Sequence, residues 1–252
     1  MRQEDLKKLG SRLLTYCQKF NVPMEYLFEI LEDQKVTPMI RGKAMEYNAF
    51  LILNTILSRA TWSVQKLNLN AQPGTYDEDI SITHRRTGVI LKVESKSAVR
   101  GSASDGRRSR VLKNSPHFKV KCHRSRSNIE LAGTSNDRYS VDSFDVLITH
   151  PANSIYEGNT VGENLEIVHN PHVKKMLLDF YKVKTDQKLI DACESDWRFC
   201  IPADIAEDGF IPRTPYVRFS GDANWFGLDR LESRLLEVVE EKRRANTQSR
   251  RP

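Results

Sequence analysis

Between residues 1 and 60 the apolar positions recur at helical spacing. Leu6, Leu9, Leu13 and Leu14 form one stripe, Phe20 follows it, and Asn21-Val22-Pro23 breaks the run. A second short helix is predicted over Met24 to Leu31. A third is predicted from Thr37, as the cap, to about Ala60, with Pro38 in its first turn. Met45, Ala49, Phe50, Ile52, Leu53, Ile56 and Leu57 give it an apolar surface broad enough to pack on a sheet.

From Trp62 the period changes to two. Trp62 to Leu69 reads as a strand, and Gln72-Pro73-Gly74 as a turn. Asp79 to Ile82 and Val89 to Lys96 then form two strands linked through Arg85-Arg86-Thr87-Gly88. If those four residues are the loop, His84 faces Val89, Ile82 faces Leu91 and Ile80 faces Val93. The last four are apolar and share one face. Thr83 with Ile90, Ser81 with Lys92, and Asp79 with Glu94 share the other. Residues 101 to 109 read as a flexible loop, and Phe118 to His123 alternates apolar with basic or polar residues. Phe144 to Ile148 is a short buried strand. The elements of residues 149 to 227 do not resolve into an order. A last helix begins at Asp229, where Glu232 can complete a capping box, and ends in a basic tail.

This order of elements predicts an α/β fold, a central mixed β-sheet flanked by helices with N-terminal helices on one side. The 252 residues suit a single enlarged domain. Within it, residues 1–36 form an N-terminal helical region, 37–150 a catalytic core, 151–242 a recognition or dimerisation region and 243–252 a basic tail. No apolar run is long enough to span a bilayer and the N-terminus has no secretory signal, so a cytoplasmic protein without a membrane partner is expected. Four dispersed cysteines and six scattered histidines offer no zinc-site spacing.

Charge changes the picture through its distribution. The net charge is only +6, but Arg100, Arg107, Arg108, Arg110, Lys113, Lys119, Lys121, Arg124 and Arg126 fall in one stretch that holds a single acid, Asp105. Such a block suits a polyanion that releases counterions as it binds. Arg107, Arg108, Arg110, Lys119, Lys121, Arg124, Arg126 and Asn128 are the candidates for DNA contact, most of them through phosphates.

The hairpin register sets Asp79 and Glu94 across from each other. Facing carboxylates repel unless a cation compensates, and hard oxygen ligands suit Mg²⁺. Lys96 lies two residues past Glu94, on the same strand face. Two carboxylates, a divalent metal and an ammonium are a working set for phosphodiester hydrolysis.

On Met45-Glu46-Tyr47, Asp77-Glu78-Asp79-Ile80, Val93-Glu94-Ser95-Lys96 and Asp142 to Ile148, the chain resembles the type II restriction endonucleases of the PD-(D/E)xK nuclease superfamily. The likeness covers residues 38 to 150. It implies that Asp79 and Glu94 are metal ligands, that Lys96 is the base that positions water, and that Glu46 is a helix carboxylate aimed at the metal. No proline precedes Asp79, so Asp77, two residues earlier, is the reserve ligand. The implied activity is site-specific, Mg²⁺-dependent cleavage of double-stranded DNA by a homodimer. Two alternatives stand beside it: a structure-specific repair or recombination nuclease of the same fold, and a non-catalytic nucleic-acid-binding protein.

Overall fold

The change of period near residue 60 is a boundary between helix and sheet. The computed structural model describes residues 2–33, 35–67, 79–123, 137–158, 165–167 and 170–248. The chain divides into two units, residues 1–43 and 44–252. In the first, α1 (Gln3–Lys19) is followed by a 3-10 turn at Met24–Tyr26, α2 (Leu27–Glu32) and the start of α3 (Thr37–Ile56). The stripe of Leu6, Leu9, Leu13 and Leu14 is helical as expected, but its side chains are exposed. Thr37 lies inside α3 and is not its cap. Its hydroxyl donates to the carbonyls of Leu31 and Asp33 at 3.3 and 3.0 Å.

The second unit is built on a six-stranded mixed sheet. Its strands are β1 (Trp62–Lys66), β2 (Ile80–His84), β3 (Ile90–Ser95), β5 (Val146–Thr149), β8 (Arg198–Cys200) and β10 (Phe226–Gly227), in that order across the sheet. All neighbours are antiparallel except β3 and β5, which run parallel. Two small antiparallel pairs complete the strands: β4 (His117–Lys119) with β9 (Tyr216–Arg218), and β6 (Tyr156–Gly158) with β7 (Leu165–Ile167). The remaining helices are α4 (Pro171–Tyr181), α5 (Asp186–Ser195), α6 (Pro202–Ile205) and α7 (Leu231–Gln248). Among the described residues no helix is long and apolar enough to cross a membrane.

The register of β2 with β3 coincides with the one read from the sequence: Ile80 opposite Val93, Ser81 opposite Lys92, Ile82 opposite Leu91. His84 N–H donates to the carbonyl of Val89 at 2.9 Å, which closes the Arg85–Gly88 loop. Ile80, Ile82, Leu91 and Val93 are fully buried. They meet Met45, Ala49 and Leu53 of α3 and Leu235, Val238 and Val239 of α7 in one core. Period-two strands bury such a set together only in this register, because a slip of one residue would turn one strand's apolar pair to the opposite face.

The other face of the sheet is covered unevenly. Leu147 of β5 and Cys200 of β8 point into a second core with Phe118, Val120, Leu177, Leu189, Val217 and Phe219. Their strand neighbours Ile148 and Phe199 belong to the first core, so apolar side chains bury β5 and β8 on both faces. At β2 and β3 this second face carries Ser81, Thr83 and Lys92, which are polar. Here the sheet has room for charge. The four cysteines are free and buried, as reduced thiols should be.

Two local expectations need correction. Residues 101–109 are tied down as a loop: Ser104 and His117 exchange both backbone hydrogen bonds at 2.9 Å, and Gly106 takes φ +80° against the backbone of Ser115. Their small side chains are what let the loop backbone approach β4 so closely. The last helix begins at Leu231 and not at Asp229, which lies in a 3-10 turn at Leu228–Arg230, and Glu232 accepts the indole N–H of Trp62 at 2.9 Å, a contact that joins α7 to β1.

Candidate active site

The sheet brings Asp79, Glu94 and Lys96 together at the open end of the β2–β3 hairpin. Asp79 and Glu94 are each 6% exposed. The paired register ends at Ile80–Val93, one step short of Asp79. The Asp79 carboxylate extends the ladder by a different route: its Oδ2 accepts the backbone N–H of Ser95 at 2.9 Å and the Ser95 hydroxyl at 2.8 Å. Lys96 Nζ lies 2.5 Å from Glu94 Oε1. The backbone N–H of Lys96 donates to Ile148 O at 3.0 Å, so the parallel strand β5 holds this end of β3 in place.

Electrostatics sets Asp79 apart. Burial, then the negative charges of Glu94 and Glu46, push its carboxyl up to about 7, against the pull of Ser95 and Lys96. Burial alone would lower Lys96, but Glu94, Tyr139 and Asp79 outweigh it and hold the ammonium well above the usual lysine range. The metal-free site therefore carries a firmly charged lysine and one carboxyl that ionises reluctantly.

Glu46 comes near this site but is engaged by Lys66, whose Nζ donates to Glu46 Oε2 and to the carbonyl of Asp79, both at 2.9 Å. Lys66 is a β1 residue that the sequence reading left out. Among the described residues, no three His, Cys, Asp or Glu side chains converge as a metal cage. Two carboxylates are still a sufficient protein contribution for Mg²⁺, which keeps several waters and takes phosphate oxygens from its substrate. The donor set at Asp79 and Glu94 is all oxygen, and burial, then the charges of Glu94 and Glu46, push Asp79 up to about 7 even with Lys96 beside it. Those two residues fit such an ion. Asp77 lies outside the described residues.

Tyr139 and Ser95 also belong here, and the sequence did not point to them. Tyr139 lies with its ring centroid 5.1 Å from Lys96 Nζ and its hydroxyl 3.5 Å from Glu94 Oε1. Burial and the Glu94 charge push its phenol up to about 12, so it stays a neutral donor. Only folding brings Tyr139 to the hairpin, by way of its contact with Phe144 and the bond from Ile211 N–H to its carbonyl. Ser95 is the middle residue of the Glu-x-Lys triplet, a position that a motif leaves open.

Of the expected DNA-contact residues, Arg107, Arg108, Arg110 and Lys119 line one cleft. Lys121 is exposed on the strand extension beyond β4, where its N–H bonds to Ser97 O. Phe118, Val120 and Cys122 are fully buried between these basic residues, so the alternation read from the sequence is real. Arg124, Arg126 and Asn128 lie outside the described residues.

No family model matches this chain, and no curated protein matches it either. Among solved structures, a bacterial homing endonuclease, I-Ssp6803I, is similar over 53% of this chain and 80% of its own, at 15% identity and a TM-score of 0.28. Overlap of that extent adds nothing to the reading of the site.

Proposed function

We propose that this protein is a type II site-specific deoxyribonuclease, a cytoplasmic enzyme that hydrolyses phosphodiester bonds of double-stranded DNA with Mg²⁺. One observation carries the reading. Two nearly buried acids, Asp79 and Glu94, share a site with the ammonium of Lys96 on the polar stretch of an otherwise apolar sheet. Asp79 and Glu94 would hold Mg²⁺. Glu46 is a weaker third ligand, since Lys66 engages it, and Asp77 is the reserve. When bound, the ion polarises a phosphate oxygen and lowers the pKa of water.

The chain's own groups do the rest. Lys96 enters as an ammonium, so it acts as a donor that orients water and stabilises charge on the phosphate. Tyr139 keeps Lys96 against the site. Ser95 fixes Asp79 through two hydrogen bonds, so the acid does not have to be reoriented when substrate arrives. Cutting both strands of a palindrome calls for a two-fold pair of such sites, hence a homodimer.

The test is a digest of a large sequenced duplex with Mg²⁺ and with EDTA, beside the Lys96→Ala variant. Discrete fragments that need Mg²⁺ and vanish in the variant are expected. An uncut duplex, with a gel shift retained, would move the reading to a branched-DNA nuclease or a non-catalytic binder.

A further inference from the structure

The basic residues of the loop after β3 do not stand alone. Residues 101–111, β4, β9 and the start of α4 enclose a cleft of about 740 Å³. Three separate stretches of the sequence contribute to it: Arg108, Arg110 and Lys119 from the loop and β4, His172 from the start of α4, and Tyr216 from β9. Its one acid, Asp105, is already paired with Arg107 at 2.6 Å. The remaining charge is cationic.

The walls are tied to one another. Ser104 is paired with His117, and a Cβ at Gly106 would fall 2.5 Å from the backbone N and O of Ser115, so the loop sits hard against β4. Lys119 Nζ is 5.4 Å from the centroid of the Tyr216 ring, and His117 meets the same ring edge-on at 5.2 Å. Tyr216 thus presents the lysine from beneath. A solvated basic loop would have none of these supports.

The cleft lies a short backbone span from the hairpin. Ala98 pairs with Val120, and Lys119 O accepts from Val99 N–H, so Lys119 lies level with Val99, three residues along the chain from Lys96. At about 3.3 Å per extended residue this is at most about 10 Å. A DNA strand rises about 3.4 Å per base along its axis, so the span is at most about three base pairs.

We propose that this cleft clamps the sugar-phosphate backbone of duplex DNA within about three base pairs of the phosphate presented to Asp79, Glu94 and Lys96. Arg108, Arg110 and Lys119 are its phosphate contacts. The proposal rests on the nuclease reading for its ligand, and it gives part of the C-terminal half a role in holding substrate.

Binding of a short duplex in EDTA, measured against salt, tests the clamp apart from any cleavage. The double variant Arg108→Ala with Arg110→Ala should make the slope of log K against log salt shallower by about two, and Lys119→Ala by about one. Lys119→Ala leaves the loop sequence intact, so it reports on the clamp even if the double variant disturbs the loop. Arg244→Ala, on α7 across the sheet, should leave the slope unchanged. Unchanged slopes for all the cleft variants would overturn the clamp and leave the Mg²⁺ digest to judge the nuclease. An RNA duplex of the same sequence that binds as tightly would overturn DNA as the ligand. Neutral methylphosphonate links, placed one at a time in a duplex with a mapped cut, should weaken binding most within about three steps of it. Interference a full helical turn away would overturn the placement.

Discussion

Asp79→Asn should make the metal-free protein more stable above neutral pH even as it removes cleavage. The wild-type carboxyl ordinarily ionises near 3.8 and in the fold near 7, because it is buried beside Glu94 and Glu46. Its folded pKa lies above its unfolded one, so the penalty is absent below pH 4, grows as the pH rises and is complete above pH 7. At about 1.4 kcal/mol per pH unit the full penalty is about 4 kcal/mol. Asparagine keeps an oxygen for Ser95, but it is a weaker acceptor than a carboxylate, which returns about 1 kcal/mol or more. A net gain of about 2 kcal/mol remains, or about 6 °C in melting temperature for a chain of this size. Thermal melts of both proteins in EDTA at pH 5 and pH 8 measure it. The gain should be small at pH 5 and clear at pH 8, and Mg²⁺ should raise the melting temperature of the wild type more than that of the variant. A variant no more stable than wild type at pH 8, or a difference that ignores pH, would refute the account of opposed acids.

Three further outcomes follow from the same structure. Glu94→Gln leaves the Lys96 ammonium without its 2.5 Å partner and should destabilise by about 2 kcal/mol, whereas Glu94→Gln with Lys96→Met should lose less than the two single changes added; denaturant melts of the four proteins give the coupling, and additive losses would dissolve the pair. His150 is pushed down to about 4 by burial against Trp197, and its Nδ1 accepts Ala152 N–H at 3.3 Å, so the fold holds it neutral. Stability should therefore fall by about 2 to 3 kcal/mol as the pH drops from about 6.5 to 4, and His150→Phe should flatten that limb of the melting curve; an unaltered pH profile would count against it. Gly106→Ala combines a positive φ with a clash on Ser115, and should loosen the loop after β3 enough to weaken duplex binding in EDTA while the sheet keeps its melting temperature within about 2 °C.

Much of this site was readable along the chain because a β-hairpin is local. Its register depends on a four-residue loop and on alternation, and both lie within residues 79–96. The apolar face of α3 was equally local, as was the alternation around β4. What escaped were contacts that only folding makes. Lys66 reaches Glu46 because β1 and α3 come together, Tyr139 reaches Lys96 across 43 residues, and Trp62 finds Glu232 at the far end of the chain. The loop after β3 misled for a related reason. A run of Gly, Ser and Ala reads as flexibility, yet the same small side chains allow the backbone pairing of Ser104 with His117. Arg124, Arg126 and Asn128 rest on the sequence alone.

The uneven covering of the sheet argues for chemistry at the hairpin. Apolar side chains bury β5 and β8 on both faces, and a further apolar pair at Asp79 and Glu94 would extend that covering without any charge to desolvate. Replacing a buried ion pair by well-packed apolar residues is often neutral or stabilising. Here a lysine and two acids are kept at low exposure, and burial first, then the charges of Glu94 and Glu46, push Asp79 up to about 7. Stability does not explain that arrangement. A site that receives positive charge, as proposed for Asp79 and Glu94, would.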